Sequence, residues 1–319
     1  MSPLRIGIIG ARFAADLHAT NYRPLRPARA ELTAVCSRTR EAAERFARRH
    51  AIPRVFTDYH ALVASPDVDV VDICATTDIH HEIAVVAARA GKHVIVEKPL
   101  TGAFCDATEP RDAMLATALG NADAVLDAVA KAGVTLCYGE DFVYAPPVAK
   151  LRRLLDASGG AILELRAEES HSGSHAAYAR RWKSAGGGAF LRMGSHPVGA
   201  VLHLKHWEGV RRRGRPVRVR AVSAEVASLT RLPVVSRIRR HMSTLAEDVE
   251  VETKAGWQYP SPDEDWMRGY PQELEDFVSA ISKRREPLSG ALLAREVVEV
   301  IYAGYLSAAT GRRVELPRP

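Results

Sequence analysis

Continuous apolar runs separated by amphipathic stretches set the pattern of the first half of the chain. The first run covers residues 4–10 and ends at Gly10; the same character returns at 31–36, 68–74, 93–97 and 134–138. Between the runs, the periodicity predicts helices over 12–20, 39–49, 58–64, 79–90 and 110–132. Strand–helix alternation at this spacing implies a parallel sheet with helices on both faces. Strands that are apolar throughout, rather than alternating, are what a sheet covered on both sides requires.

The pattern changes near residue 140. Pro146-Pro147 opens a helix that reaches about 156. Alternation then predicts strands over 161–169, 216–229 and 248–253, with a Gly186-Gly187-Gly188 turn and a helix over 195–206 between the first two. Two long helices, 270–284 and 290–310, close the chain. The expected fold is therefore α/β in two parts. Residues 1–140 form a doubly wound domain; residues 141–319 form an α+β domain with an open, mostly antiparallel sheet, and the closing helices 290–311 pack back on the first part. A length of 319 residues agrees with two cores, because one core seldom grows beyond about 250–300 residues.

Composition narrows the function classes. With 47% hydrophobic and 26% charged residues the chain reads as an ordinary globular protein rather than a disordered one. Of the four cysteines no two have the spacing of a metal or redox motif, and Cys36, Cys74 and Cys137 sit in apolar runs. They read as core residues in a reducing, cytoplasmic compartment, and no metal is expected. No basic-then-apolar leader precedes the first strand, so no secretory signal is expected. No apolar run approaches the ~18 residues of a membrane span. The net charge of +6 raises the question of nucleic acid, but the arginines are scattered. Their densest run, Arg211 to Arg215, reads as a solvated loop with no nucleic-acid motif around it.

Candidate chemistry lies at the carboxyl ends of the apolar runs, the rim where α/β sheets bind ligands. Gly10-Ala11-Arg12-Phe13-Ala14-Ala15 stands where a dinucleotide fingerprint belongs. Gly10 and Ala15 fit that fingerprint, and Arg12 occupies its second glycine position. After the second run come Ser37 and Arg38, where an acidic residue would hold a ribose 2′-hydroxyl. Ser and Arg suit a 2′-phosphate instead, so NADP is expected, with NAD as the alternative. The fourth apolar run ends in Glu97-Lys98-Pro99. A lysine at such a rim, when partly desolvated, can exchange a proton near neutral pH.

These residues resemble the Gfo/Idh/MocA oxidoreductases (glucose–fructose oxidoreductase, inositol dehydrogenase and relatives) over nearly the whole chain. The resemblance is carried by Ala75-Thr76-Thr77-Asp78-Ile79-His80, by Glu97-Lys98-Pro99, by the glycine run that leads through Arg192 to His196, and by Tyr270–Phe277 and Thr310–Val314. It implies a Rossmann domain and an open sheet that forms homo-oligomer contacts. It also implies NAD(P)-dependent hydride transfer at a hydroxyl carbon of a sugar, cyclitol or related polyol. In that reading Lys98 is the acid/base and His196 its partner on the substrate oxygen, while Thr76, His80 and Glu97 belong to the cofactor site.

Three departures qualify it. Arg12 replaces a glycine, and Arg192 replaces the family aspartate four residues before His196. Too few residues remain before 270 for the usual strands, so residues 230–247 predict a shortened sheet with an exposed edge. His171 and His175, four apart, would suit zinc on a helix, but the Ser-Gly-Ser between them argues against a helix, so they are read as substrate contacts, with a solvated loop as the alternative. With Arg192, Arg180, Arg181 and Lys183 nearby in sequence, an anionic substrate such as a sugar acid is expected. The alternative reading is a regulatory relative that binds nucleotide or ligand without turnover.

Overall fold

Six segments, five of them the apolar runs, pair side by side as parallel strands. They are β1 (Leu4–Ile9), β2 (Ala30–Cys36), β3 (Arg54–Phe56), β4 (Val70–Ile73), β5 (His93–Glu97) and β6 (Leu136–Gly139), in the order β3-β2-β1-β4-β5-β6. The computed structural model describes residues 2–25, 29–170, 177–226 and 264–316. Ile6, Ile8, Val70, Val71, Ile73 and Val94 to Val96 are fully or almost fully buried, because helices cover both faces of the sheet. The strand order reverses between β1 and β4, which opens a crevice at their carboxyl ends. β3 was not anticipated: three residues are too short for a recognisable apolar run.

The helices of this half are α1 (Phe13–Asn21), α2 (Arg40–His50), α3 (Tyr59–Val63), α4 (His80–Arg89) and α5 (Arg111–Ala132). By length and composition α5 is apolar enough to cross a membrane, against the expectation that no segment is. It packs against α4 and against the closing helix, and buries Met114, Leu115, Ala118, Ala122 and Val125 there.

The second half is mainly helical among the described residues. Its helices are α6 (Pro146–Ser158), α7 (Trp182–Ala185), α8 (Ala189–Arg192), α9 (Ser195–Arg213), α10 (Glu264–Arg268), α11 (Tyr270–Lys283) and α12 (Ala291–Thr310). Its sheet is small: β7 (Ala221–Val222) pairs antiparallel with β8 (Val314–Glu315). Helix α12 lies against α5 and α9, and α11 lies against α1. Tyr302 of α12 stitches two loops, accepting from Ala103 N at 2.6 Å and donating to the Gly186 carbonyl.

Several expectations are corrected here. Residues 161–169 are not a strand; they run exposed and irregular, with Leu163 97% exposed. Alternation is only half of a strand, since the backbone also needs a partner edge. Here Ile162 N instead donates to Glu208 Oε1 at 2.7 Å, and Lys205 Nζ donates to Ile162 O at 3.2 Å. The strand expected over 216–229 is reduced to β7 among its described residues. Helix α9 runs seven residues past its expected end at 206, so Arg211 to Arg213 form its last turn rather than a loop. There Arg211 pairs with Asp156, and Arg212 donates to the carbonyls of Gly159 and Gly160. The strand expected over 248–253, the shortened segment 230–247, and His171 and His175 lie outside the described residues.

Candidate active site

The crevice is bounded by four strand ends. β1 delivers Gly10, β4 delivers Cys74 to Thr76, β5 delivers Glu97 and Lys98, and β6 delivers Glu140 and Asp141.

Gly10 has φ +128°, and a Cβ there would lie 2.4 Å from the Cys74 carbonyl oxygen. Only glycine makes that turn and lets β1 approach β4 so closely. Arg12 then precedes α1 with φ −121° and ψ −160°, extended backbone that any residue adopts. Arginine therefore leaves the turn intact, and its side chain is exposed. Arg12 does not cap α1 with its side chain, so the helix N-terminus remains available to an anion. Phe13 is 74% exposed beside it. Ala11, Arg12, Phe13, Phe46 and Arg49 line a cleft of about 230 Å³ between α1 and α2. Across from this turn, Ser37 is half-buried and Arg38 exposed, with no ion pair to Arg38 among the described residues. The glycine turn and the open helix N-terminus fit the pyrophosphate of a dinucleotide.

Thr76 is half-buried at the start of the turn that leads into α4. His80 is buried and braces the crevice from behind. Its Nδ1 lies 3.0 Å from Pro99 O and its Nε2 3.2 Å from Ala75 O. Burial pushes its pKa down, so one nitrogen at a time donates. The ring thus ties the β5 end to the β4 end.

Glu97 is buried, and its Oε2 accepts from Lys98 N at 3.0 Å. Its Oε1 lies 3.2 Å from His18 Nε2. The other nitrogen of His18 lies 2.9 and 3.0 Å from the two oxygens of Asp72, which also accepts from Tyr22 OH at 2.9 Å. Burial opposes a charge on His18, but the Asp72 carboxylate outweighs it and raises the pKa well above the ordinary imidazole value. A sealed row of Tyr22, Asp72, His18 and Glu97 therefore stands behind Lys98. The expectations from sequence named Glu97 alone among these; the available signal was Asp72, an acid set in an apolar strand, which needs a buried partner.

Lys98 follows Glu97 at the rim and donates from Nζ to the Arg192 carbonyl at 2.7 Å. This bond joins the β5 end to the loop of the second half. Arg192 meets Lys98 through its backbone only. Its guanidinium lies 4.9 Å over the Tyr178 ring and donates to Tyr178 OH at 3.3 Å.

His196, in the first turn of α9, is 7% exposed. Its Nδ1 lies 2.5 Å from Glu140 Oε1 and 3.2 Å from Asp141 Oδ1, with the Phe142 ring 4.7 Å away. Burial opposes its charge, but Glu140 and Asp141 together more than compensate, and the pKa is raised to about 10. Lys98, Glu140, Asp141 and His196 thus meet at one point of the rim; Glu140 and Asp141 were not singled out in the sequence. Two groups, Glu140–Asp141–His196 and His18–Asp72–Cys74, hold donor atoms within 4.8 Å of one another. Hydrogen bonds within each group account for that closeness, and we assign no metal to either. A larger cavity of about 570 Å³ lies apart, near α6 and α11. Two ion pairs cross its lining, Arg29–Glu275 at 2.9 Å and Arg285–Asp276 at 2.5 Å, and Arg152 and Lys283 leave the lining cationic.

Comparison with known proteins bears on the family and the fold. Residues 4–140 match the model of an oxidoreductase family with an NAD-binding Rossmann fold. Residues 228–316 match the C-terminal alpha/beta domain of the same family. A levoglucosan dehydrogenase of Pseudarthrobacter phenanthrenivorans is 35% identical over 106 residues, 31% of this chain and 27% of the relative. A myo-inositol 2-dehydrogenase of Thermotoga maritima is 32% identical over 98 residues, 31% of this chain and 29% of the relative. The matched stretches thus span less than a third of these relatives. A solved levoglucosan dehydrogenase in complex with NADH superposes with a TM-score of 0.72 at 20% identity, covering 100% of both chains. At that identity the likeness is one of fold.

Proposed function

Because this chain belongs to the Gfo/Idh/MocA oxidoreductase family, we propose that it moves a hydride between NADP and a hydroxyl or keto carbon of a small sugar-, cyclitol- or sugar-acid-like substrate. The observation that carries this reading is the position of Lys98. Its Nζ ends a buried strand at the nucleotide crevice and bonds to the Arg192 carbonyl of the opposing loop, beside His196. A substrate oxygen seated there has an amine and an imidazole in reach, the set a carbinol oxidation uses.

The bound nicotinamide supplies the hydride acceptor or donor. In oxidation, Lys98 would take the hydroxyl proton as the C=O bond forms; in reduction it would return that proton. His196 donates to the same oxygen. Ser37 and Arg38, which has no ion pair among the described residues, support NADP over NAD, and Arg12 supplies a further cation at the phosphates. The Arg192 guanidinium, stacked on Tyr178 beside the Lys98 anchor, supports an anionic substrate.

The test is NADPH binding by fluorescence, followed by turnover on a panel of neutral polyols and sugar acids, with Lys98→Ala as control. Lys98-dependent turnover with a preference for sugar acids is expected. Turnover of neutral sugars alone would overturn the anionic preference. Arg12 at the phosphate turn and Arg192 in place of an aspartate favour a second reading, a nucleotide-binding regulator. Tight NADPH binding with no turnover anywhere on the panel would establish that one.

A further inference from the structure

We propose that Glu140, at the carboxyl end of β6, is the positioning residue for His196: it fixes the ring through Nδ1, so that Nε2–H is presented to the substrate oxygen and proton exchange is left to Lys98. The proposal rests on the oxidoreductase reading above.

Three observations carry it. The Glu140 Oε1 to His196 Nδ1 distance is 2.5 Å, a charge-assisted bond between a carboxylate that is fully buried and a ring that is nearly so. Nδ1 is the nitrogen engaged, by Glu140 and at 3.2 Å by Asp141, while Nε2 makes no hydrogen bond among the described residues. The third is the packing of α9. Gly199 lies one turn after His196, and a Cβ there would sit 2.7 Å from Glu140 Cγ. A side chain at 199 would push Glu140 off the ring; glycine lets the first turn of α9 close over it.

This geometry answers the departure at position 192. A carboxylate four residues before His196 on the same segment is absent, and arginine there only donates. Glu140 reaches the ring from the other half of the molecule, 56 residues away in sequence. The orienting group therefore comes from the nucleotide-binding sheet, and docking of α9 onto that sheet assembles it.

The groups that face His196 are Glu140 and Asp141 after β6 and Lys98 after β5. Glu140 in turn faces His196, Asp141 and Lys98, and its carboxyl also lies within electrostatic reach of Glu273 on α11. A buried ring between two carboxylates is held as imidazolium, with a value near 10. Both nitrogens then carry protons, so His196 acts as a donor to a developing alkoxide or a carbonyl and not as a base.

The experiment compares wild type with Glu140→Gln and Glu140→Asp. Gln keeps the shape and removes the charge; Asp restores the charge. Turnover is measured from pH 5.5 to 10.5, and His196 ring nitrogens are followed by 15N NMR, assigned with His196→Gln. Glu140→Gln is expected to lower kcat about 100-fold with cofactor KM unchanged. Its high-pH limb should move down toward the ordinary imidazole value of about 6.5. Glu140→Asp should recover part of both. In the spectra, wild-type His196 should stay doubly protonated at pH 8, and Glu140→Gln should lose a proton there. A Glu140→Gln protein with wild-type kcat and limb overturns the proposal, and so does a His196 that is neutral at pH 8 in wild type. If wild type turns over nothing, the oxidoreductase reading fails while the NMR titration still decides the Glu140–His196 pairing.

Discussion

Two histidine–carboxylate pairs lie on either side of the β5 strand end, and they differ in one respect. Behind it, His18 is sealed with both nitrogens engaged, Nδ1 by Asp72 and Nε2 by Glu97. In front, His196 is held by Glu140 and Asp141 through Nδ1 alone. The chemistry of the pairs is the same: burial opposes the charge in each, and neighbouring carboxylates overcome it. A ring with both nitrogens spoken for can only hold the fold together. A ring with one nitrogen free of partners among the described residues can act on a ligand. That nitrogen, rather than the raised pKa, separates the structural pair from the one proposed to act on substrate.

The sharpest way to break that comparison is to remove one carboxylate from each pair. Asp72→Ala leaves His18 Nδ1 and Tyr22 OH without the carboxylate they share. Urea denaturation should show a loss of about 3–5 kcal/mol. Glu140→Gln should mainly reduce turnover, with a much smaller change in stability. Equal stability losses would erase the distinction.

A pH series sharpens it. The folded-state pKa of His196 is raised to about 10, against about 6.5 when unfolded. Its stabilising contribution is fully present below the unfolded value and is lost as pH rises from there through about 10. His18 contributes with the same sign. Denaturation midpoints should therefore fall between pH 7 and 10, and His196→Gln should flatten part of that slope. A midpoint that rises over this range would contradict the assignment of both rings as cations.

The smallest effect concerns the far end of the crevice. Arg38→Ala should weaken NADPH by about tenfold, near 1.4 kcal/mol, and leave NADH unchanged. Fluorescence titration with the two cofactors measures this. Equal weakening of both would move the 2′-phosphate away from Arg38.

Much of the nucleotide-binding half was legible because its strands bury both faces. Val70 to Ile73 and Val94 to Val96 read as strands from composition alone, and Lys98 could be placed at the rim from where β5 ends. The second half was less legible. Residues 161–169 alternate like a strand, yet their fate depends on a partner edge that no local pattern encodes. The site divides the same way. Lys98, Glu97 and His196 sit in recognisable motifs. The partners His18 and Asp72 are 54 residues apart, and Glu140 and His196 are 56 apart. Topology brings each pair together, and neither lies within a motif.

The most direct test of the account is turnover by Lys98→Ala with bound NADPH or NADP and the best substrate of the panel, with and without added methylamine. A drop of about 10³-fold, partly restored by the amine as the missing proton carrier, is the predicted result. Wild-type turnover by Lys98→Ala would contradict it.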